Sequence, residues 1–124
     1  MRPERTAAVL AALDADVCVM QEVLGAGPGG SGHAGIMATA LGVRGYMAPA
    51  RFLGEHLFGN FTLTRHPVVE HAVHDLTWQW REPRCCQRVV VEIAGRRVQV
   101  INLHLGTTLI ERRSQGLALA TAEA

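Results

Sequence analysis

Two strand-like runs in this chain end in side chains that could do chemistry. Val98-Gln99-Val100-Ile101-Asn102-Leu103-His104-Leu105-Gly106 is largely apolar, and Asn102 and His104 share one parity. Such a strand begins as core and ends as a site. Asp16-Val17-Cys18-Val19-Met20-Gln21-Glu22 does the same, apolar through its middle and closing on a carboxylate. Two buried strands that both end in ionisable groups suggest one shared site. By residue type alone, His104 also reads as a core histidine satisfied by backbone, and Glu22 as a solvated carboxylate before a loop.

Other candidates are weaker. Cys85 and Cys86 are adjacent, and with Cys18 they make neither a disulfide framework nor a metal-binding spacing. A reducing compartment is the default. The glycine-rich stretch over 25–32 lacks the Lys-Ser/Thr of a phosphate-binding loop and does not fit a dinucleotide fingerprint. It reads as a connection near the site or as a loop that touches substrate. His71 and His74 fall on opposite faces of an extended run and cannot form a ligand pair, which makes both surface residues. Trp78 and Trp80 share one face of an extended segment, as an apolar patch against a sheet or as a stacking platform.

The bulk numbers bound these readings. The chain has 124 residues, 48% hydrophobic and 19% charged, with net charge +1. That is one domain or a piece of one, far from the composition of disorder. Its charge gives no field that would announce nucleic acid or an anionic membrane. All 12 basic residues are arginine, a bias that weakens any argument from arginine to phosphate. No apolar stretch is long enough to span a bilayer, and no signal peptide opens the chain, so the cytoplasm is the default location.

The elements that must position the site can be read in order. A helix is expected over 1–13, with Pro3 in its first turn and Val9, Leu10 and Leu13 as its apolar stripe. The strand to Glu22 follows within three residues, a joint typical of an α/β layer. A short helix over 34–41 closes at Gly42, and a strand over 43–48 comes next. Residues 51–59 read as irregular. Residues 60–65 read as a strand with Phe61 and Leu63 on one face, and 68–76 as another extended run. A hairpin joins 87–94 to 97–105, with Gly95-Arg96 as its turn, and a helix is expected over 109–124.

The order of these segments resembles the endonuclease/exonuclease/phosphatase superfamily. Ala12 through Val23 is similar to the helix-strand unit that presents its metal-binding glutamate. Gly59-Asn60-Phe61-Thr62-Leu63-Thr64-Arg65-His66-Pro67-Val68 resembles its central strand, and Arg81-Glu82-Pro83-Arg84 its arginine-bearing entry to the next hairpin. Asn102-Leu103-His104-Leu105-Gly106, followed by Glu111 through Gln115, resembles its Asn-x-His-Leu segment and following helix. Four matches in family order are specific together, although each alone is weak.

The resemblance implies an α/β fold, part of a DNase I-like four-layer sandwich with a mixed sheet and flanking helices. It implies metal-dependent hydrolysis of phosphodiesters or phosphomonoesters, with Mg²⁺ as cofactor and Mn²⁺ as an alternative. Carried over by position, Glu22 is the metal ligand, and Glu22 and His104 are the catalytic pair. His104 acts there as a hydrogen-bond donor to a phosphate oxygen rather than as a base. Arg84, Asn60 and Asn102 are the substrate-binding residues. The partner is a phosphate ester, whether nucleic acid, lipid headgroup or small phosphodiester; no protein partner is implied.

The chain also departs from the family pattern. It starts at the helix, without the preceding strand that brings an asparagine to the metal, and it contains no Gly-Asp-x-Asn and no Ser-Asp-His. Its three aspartates are Asp14, Asp16 and Asp75, so the attacking water has no identifiable activator. The expectation is therefore a partial domain over 1–124, lacking the first strand and the C-terminal part, with little or no activity alone. Uncovered sheet edges then predict poor solubility or association. The competing reading is a non-catalytic binding or scaffold protein of the same fold.

Overall fold

A computed structural model of the chain describes residues 2–105 and 112–117. Its elements are α1 (Pro3–Leu13), β1 (Val17–Leu24), α2 (Gly32–Leu41), β2 (Arg44–Leu53), β3 (His56–Thr64), β4 (Val68–Asp75), β5 (Cys85–Ile93) and β6 (Arg96–Leu103). Residues 112–117 are helical, and the rest of the helix expected over 109–124 lies outside the described residues.

The strands form two three-stranded sheets, ordered β1-β3-β2 and β4-β5-β6. A mixed sheet was expected, but among the described residues every pairing is antiparallel. The reason lies in the α2 crossover. It returns the chain so that β1 and β2 run parallel, and β3 then inserts between them, antiparallel to both.

Alternation along β3 builds the layers. Phe61 and Leu63 face the helices, where they pack with Ala7, Val23, Ala34 and Met37. Asn60 and Thr62 face the second sheet. The contact between the sheets is unusually polar for a core. Thr62 donates to Gln87 Oε1 at 2.7 Å, Gln87 Nε2 donates to the Tyr46 carbonyl at 2.7 Å, and Gln21 Nε2 donates to Asn102 Oδ1 at 2.7 Å. Each such bond adds only ~1 kcal/mol net, but an orphaned partner would cost ~1–3 kcal/mol, so the network fixes how the sheets sit.

Local expectations fared unevenly. Gly42 closes α2 in the left-handed region at φ 65, as its position suggested. The apolar stripe of α1 was misread: Val9 and Leu13 are 59% and 67% exposed, while Pro3 and Ala7 are buried and Leu10 packs beside them. Small residues on that face let α1 sit close against α2. Residues 51–59 are a β-hairpin rather than irregular, turning at Gly54 (φ 61) between the paired Leu53 and His56. The β5–β6 turn falls one residue earlier than expected. Ala94 (φ 52) and Gly95 (φ 75) are its centre, and this double positive φ suits the twist of a tight hairpin.

Candidate active site

The C-terminal end of β1 is set by a bulge. Met20 pairs with Phe61 and Val23 with Gly59, so Gln21 and Glu22 together oppose the single residue Asn60. Strict alternation would turn Glu22 toward the helices along with Met20. With the bulge, Val23 takes that inward place, fully buried, and Glu22 is left exposed at φ 55. A non-glycine residue in this region costs ~1–3 kcal/mol, and such strain gathers at functional positions.

A second irregularity lies at the same level on β2, where the register shifts between Pro49 and Arg51. Gly59 makes it possible. A Cβ there would stand 2.3 Å from the Ala48 carbonyl oxygen and 2.7 Å from the Ala50 nitrogen. Two adjacent bulges thus open one end of the first sheet.

Into that end converge Glu22 from β1, Asn60 from β3, Arg84 from the approach to β5 and His104 from just beyond β6. They line a single narrow slot of ≈ 10 Å³, walled also by Arg51, Phe58 and Glu82. Glu22 has no ion-pair partner, and His104 no hydrogen-bond partner, among the described residues. Asn60 is buried, and its Nδ2 donates to the Cys85 and Asn102 carbonyls at 3.1 and 3.0 Å.

Arg84 is the deepest cation of the site. It is 8% exposed; its Nη2 lies 3.3 Å from Glu82, and its buried Nε has no hydrogen-bond partner among the described residues. A buried guanidinium with an unmet donor fits an anion that has yet to arrive. Glu82 also takes Arg51 at 3.3 Å, and the Arg51 guanidinium lies 4.8 Å from the Phe58 ring centre. Reading from the sequence missed Arg51 and Glu82 as site walls. Glu82 stood inside the quoted Arg81–Arg84 run, but nothing marked its reach across to β2.

Asn102 is placed differently from the expectation. Its side chain is buried between the sheets, with Nδ2 donating to the Met20 and Phe61 carbonyls at 3.0 and 3.2 Å and Oδ1 accepting from Gln21. Both ends of the amide are engaged, so it braces the strands that carry the site and is not among the slot's lining residues.

The remaining candidates sort by position. Cys85 Sγ donates to the Ala48 carbonyl at 3.3 Å, and neighbouring side chains on a strand point to opposite faces, so Cys85 and Cys86 do not make a ligand pair. Burial pushes the Cys85 thiol up. Residues 25–32 do not line the slot; Gly25 and Ala26 extend the pairing with Leu57 instead. His71 is exposed but engaged, with Nε2 3.0 Å from Gln87 Nε2 and its ring edge-on to Tyr46 at 5.6 Å. Trp78 and Trp80 do not share an extended face, because Gln79 turns at φ 50 and leaves Trp80 80% exposed. Asp14, Asp16, Arg65 and His66 form an ion-pair cluster at the opposite end of β1. A cavity of ≈ 230 Å³ lies beside them, away from Glu22.

Among the described residues no group of three His, Cys, Asp or Glu side chains could cage a metal ion. One exposed carboxylate does fit the looser mode of Mg²⁺, which keeps several waters and shares substrate phosphate oxygens. No helix of the described residues is long and apolar enough to cross a membrane.

A helix pair on one sheet, itself packed on a second sheet with the site at one end, defines an α/β sandwich. Its relatives among solved structures make the class specific. It is similar to an endonuclease/exonuclease/phosphatase family protein from Leptotrichia buccalis C-1013-b, with TM-score 0.75 and 14% identity over 96% of this chain and 53% of that one. It is also similar to TDP2 from Caenorhabditis elegans, with TM-score 0.73 and 17% identity over 98% of this chain and 35% of that one. The chain therefore has the endonuclease/exonuclease/phosphatase fold, as the resemblance implied, and spans about half or less of the length of these structures. No family model matches it, and no curated protein does.

Proposed function

We propose that the chain supplies one wall of a metal-dependent phosphoesterase site. The observation that carries this reading is the convergence of Glu22, Arg84 and His104 from three separate segments on one slot, with the Arg84 Nε unpartnered among the described residues. Glu22 would hold Mg²⁺, or Mn²⁺ in its place, and the ion supplies charge stabilisation at the phosphate. Arg84 binds a phosphate oxygen through its unmet donor. His104 donates to a non-bridging oxygen as charge builds there, a role in which single donors are worth ~2.7–4 kcal/mol. Asn60 lines the slot and ties β3 to β5 and β6, and Asn102 acts as a positioning residue.

Among the described residues the slot's other carboxylate, Glu82, is held by Arg51 and Arg84, so it is not free to ligate the ion or to activate water. The chain alone then binds Mg²⁺ weakly and does not turn over a generic phosphodiester. The test is calorimetric titration of Mg²⁺ and Mn²⁺ with hydrolysis of bis(p-nitrophenyl) phosphate, on the chain and on Glu22→Gln. Weak cation binding lost in Glu22→Gln supports the reading. Cation binding unchanged by Glu22→Gln overturns it and favours the non-catalytic scaffold. Strong turnover abolished by Glu22→Gln would refute the partial-site proposal while keeping the metal assignment.

A further inference from the structure

Glu82 stands between two arginines in the wall of the slot. Its Oε1 lies 3.3 Å from Nη2 of Arg51, and its Oε2 lies 3.3 Å from Nη2 of Arg84. One carboxylate thus bridges a cation on β2 and a cation on the approach to β5. Both contacts are long beside the ~2.7–2.9 Å of a charge-assisted hydrogen bond, and the Glu82 side chain is 44% exposed. A carboxylate held in this way is easily displaced.

Each arginine is fixed without it. The Arg84 backbone is tied at the neck of the β4–β5 loop, where its N–H donates to Thr77 Oγ1 at 3.1 Å and its carbonyl accepts from the Leu76 N–H at 2.9 Å. Arg51 pairs with Phe58 across the β2–β3 hairpin, and its Nη1 donates to the Phe52 carbonyl at 3.3 Å. Glu82 can therefore leave while both cations stay. The slot as it stands, at ≈ 10 Å³, offers about the room of one water and is too small for a phosphate. Something must move before a substrate enters, and the buried Arg84 needs a counter-charge until it does.

Resting on the phosphate site of the preceding reading, we propose that Glu82 is a resident stand-in for the substrate phosphate, and that Arg51 and Arg84 form the clamp this phosphate takes over when Glu82 is displaced. Guanidinium groups take carboxylates and phosphates through the same fork, so the two anions compete for one place. A phosphate monoester carries about −1.5 to −2 charges at pH 7 against one for the carboxylate, and it brings a third oxygen for the free Nε of Arg84. The displaced carboxylate turns to the solvent it already meets. Arg51 thereby becomes a substrate contact, and Glu82 keeps the empty clamp neutral and closed.

Inorganic phosphate is titrated calorimetrically into residues 1–124 and into Glu82→Gln, with divalent cations chelated so that Glu22 and its ion play no part. A clamp that is mostly blocked binds with an affinity lowered by its open fraction, so Glu82→Gln should bind phosphate about tenfold more tightly than the parent. Without anion that variant leaves Arg84 buried and uncompensated and should melt lower, and saturating phosphate should restore the melting point. In the Glu82→Gln background, Arg51→Met should weaken phosphate binding about tenfold. Binding that is unchanged or weaker in Glu82→Gln makes Glu82 an ordinary structural ion pair and overturns the exchange. Arg51→Met binding phosphate as well as its background overturns the two-arginine clamp. The ¹⁵N resonance of the Arg84 Nε–H separates this proposal from the preceding one. If phosphate shifts that resonance while Glu82→Gln changes nothing, only the exchange fails; if phosphate leaves it unmoved, the phosphate site itself fails and the exchange with it.

Discussion

Asn60 and Asn102 brace the two sheets reciprocally. The Asn60 amide donates to the Asn102 carbonyl at 3.0 Å, and the Asn102 amide reaches the carbonyl of Phe61, the residue after Asn60, at 3.2 Å. Each side chain thus replaces a backbone partner across the layer gap. The strands β1, β3 and β6 that lead into the slot are held in one frame by this pair.

Breaking the brace is costly. Asn102→Ala removes the donor to Met20 and Phe61 and the acceptor for Gln21. The expected loss is ~2–4 kcal/mol, because the Phe61 carbonyl stays buried without its partner, while the exposed Gln21 amide can turn to solvent. Urea unfolding reads this as a lower midpoint at unchanged slope.

Glu22 trades stability for position. Glu22→Gly accepts φ 55 without strain and should raise stability by ~1 kcal/mol, about 4 °C in Tm, while removing cation binding. Calorimetric scans and Mg²⁺ titration on the same sample check both halves. A variant less stable than the parent would remove the argument from strain.

His104→Ala separates chemistry from folding. The half-buried imidazole makes no hydrogen bond among the described residues, so Tm should move by only ~1 °C. In a protein with the complete site, the same change should lower kcat by ~10²–10³-fold. Steady-state kinetics beside a melting curve measures the contrast.

His71 makes stability depend on pH. Although the residue as a whole is exposed, partial burial of its ring against Gln87 and Tyr46 holds its pKa below the ordinary 6.5, and the neutral ring can accept from Gln87 Nε2. The unfolded chain therefore binds the proton first. Stability is fully present above pH 6.5, and it declines as the pH falls from there through the lower folded-state value. His71→Phe keeps the edge contact to Tyr46 and removes the titration. Tm measured against pH should flatten in that variant across the acid side of 6.5.

The strands outside the 51–59 hairpin, the parity of Phe61 and Leu63, the α2 stop at Gly42 and the order of the family-like segments were legible, because each is local patterning. Glu22, Asn60, Arg84 and His104 were singled out from sequence, and the fold brings them to one slot. What stayed hidden depends on pairing between strands. The bulge opposite Asn60 follows from how β1 and β3 align, and no residue type announces it. Asn102 looked like a site residue because parity groups it with His104, yet the second layer captures its amide first. Trp78 and Trp80 looked extended because alternation ignores the left-handed φ at Gln79.

The bulge at Gln21 and Glu22 also bears on how such a site could arise. Without Gln21, β1 would pair regularly with β3, and the carboxylate would stand alone opposite Asn60 on the face turned to the second sheet. A single inserted codon leaves Met20 and Val23 on the helix side and adds the residue that lets Glu22 take its left-handed turn toward solvent. One residue of length decides whether this strand end is flat or open.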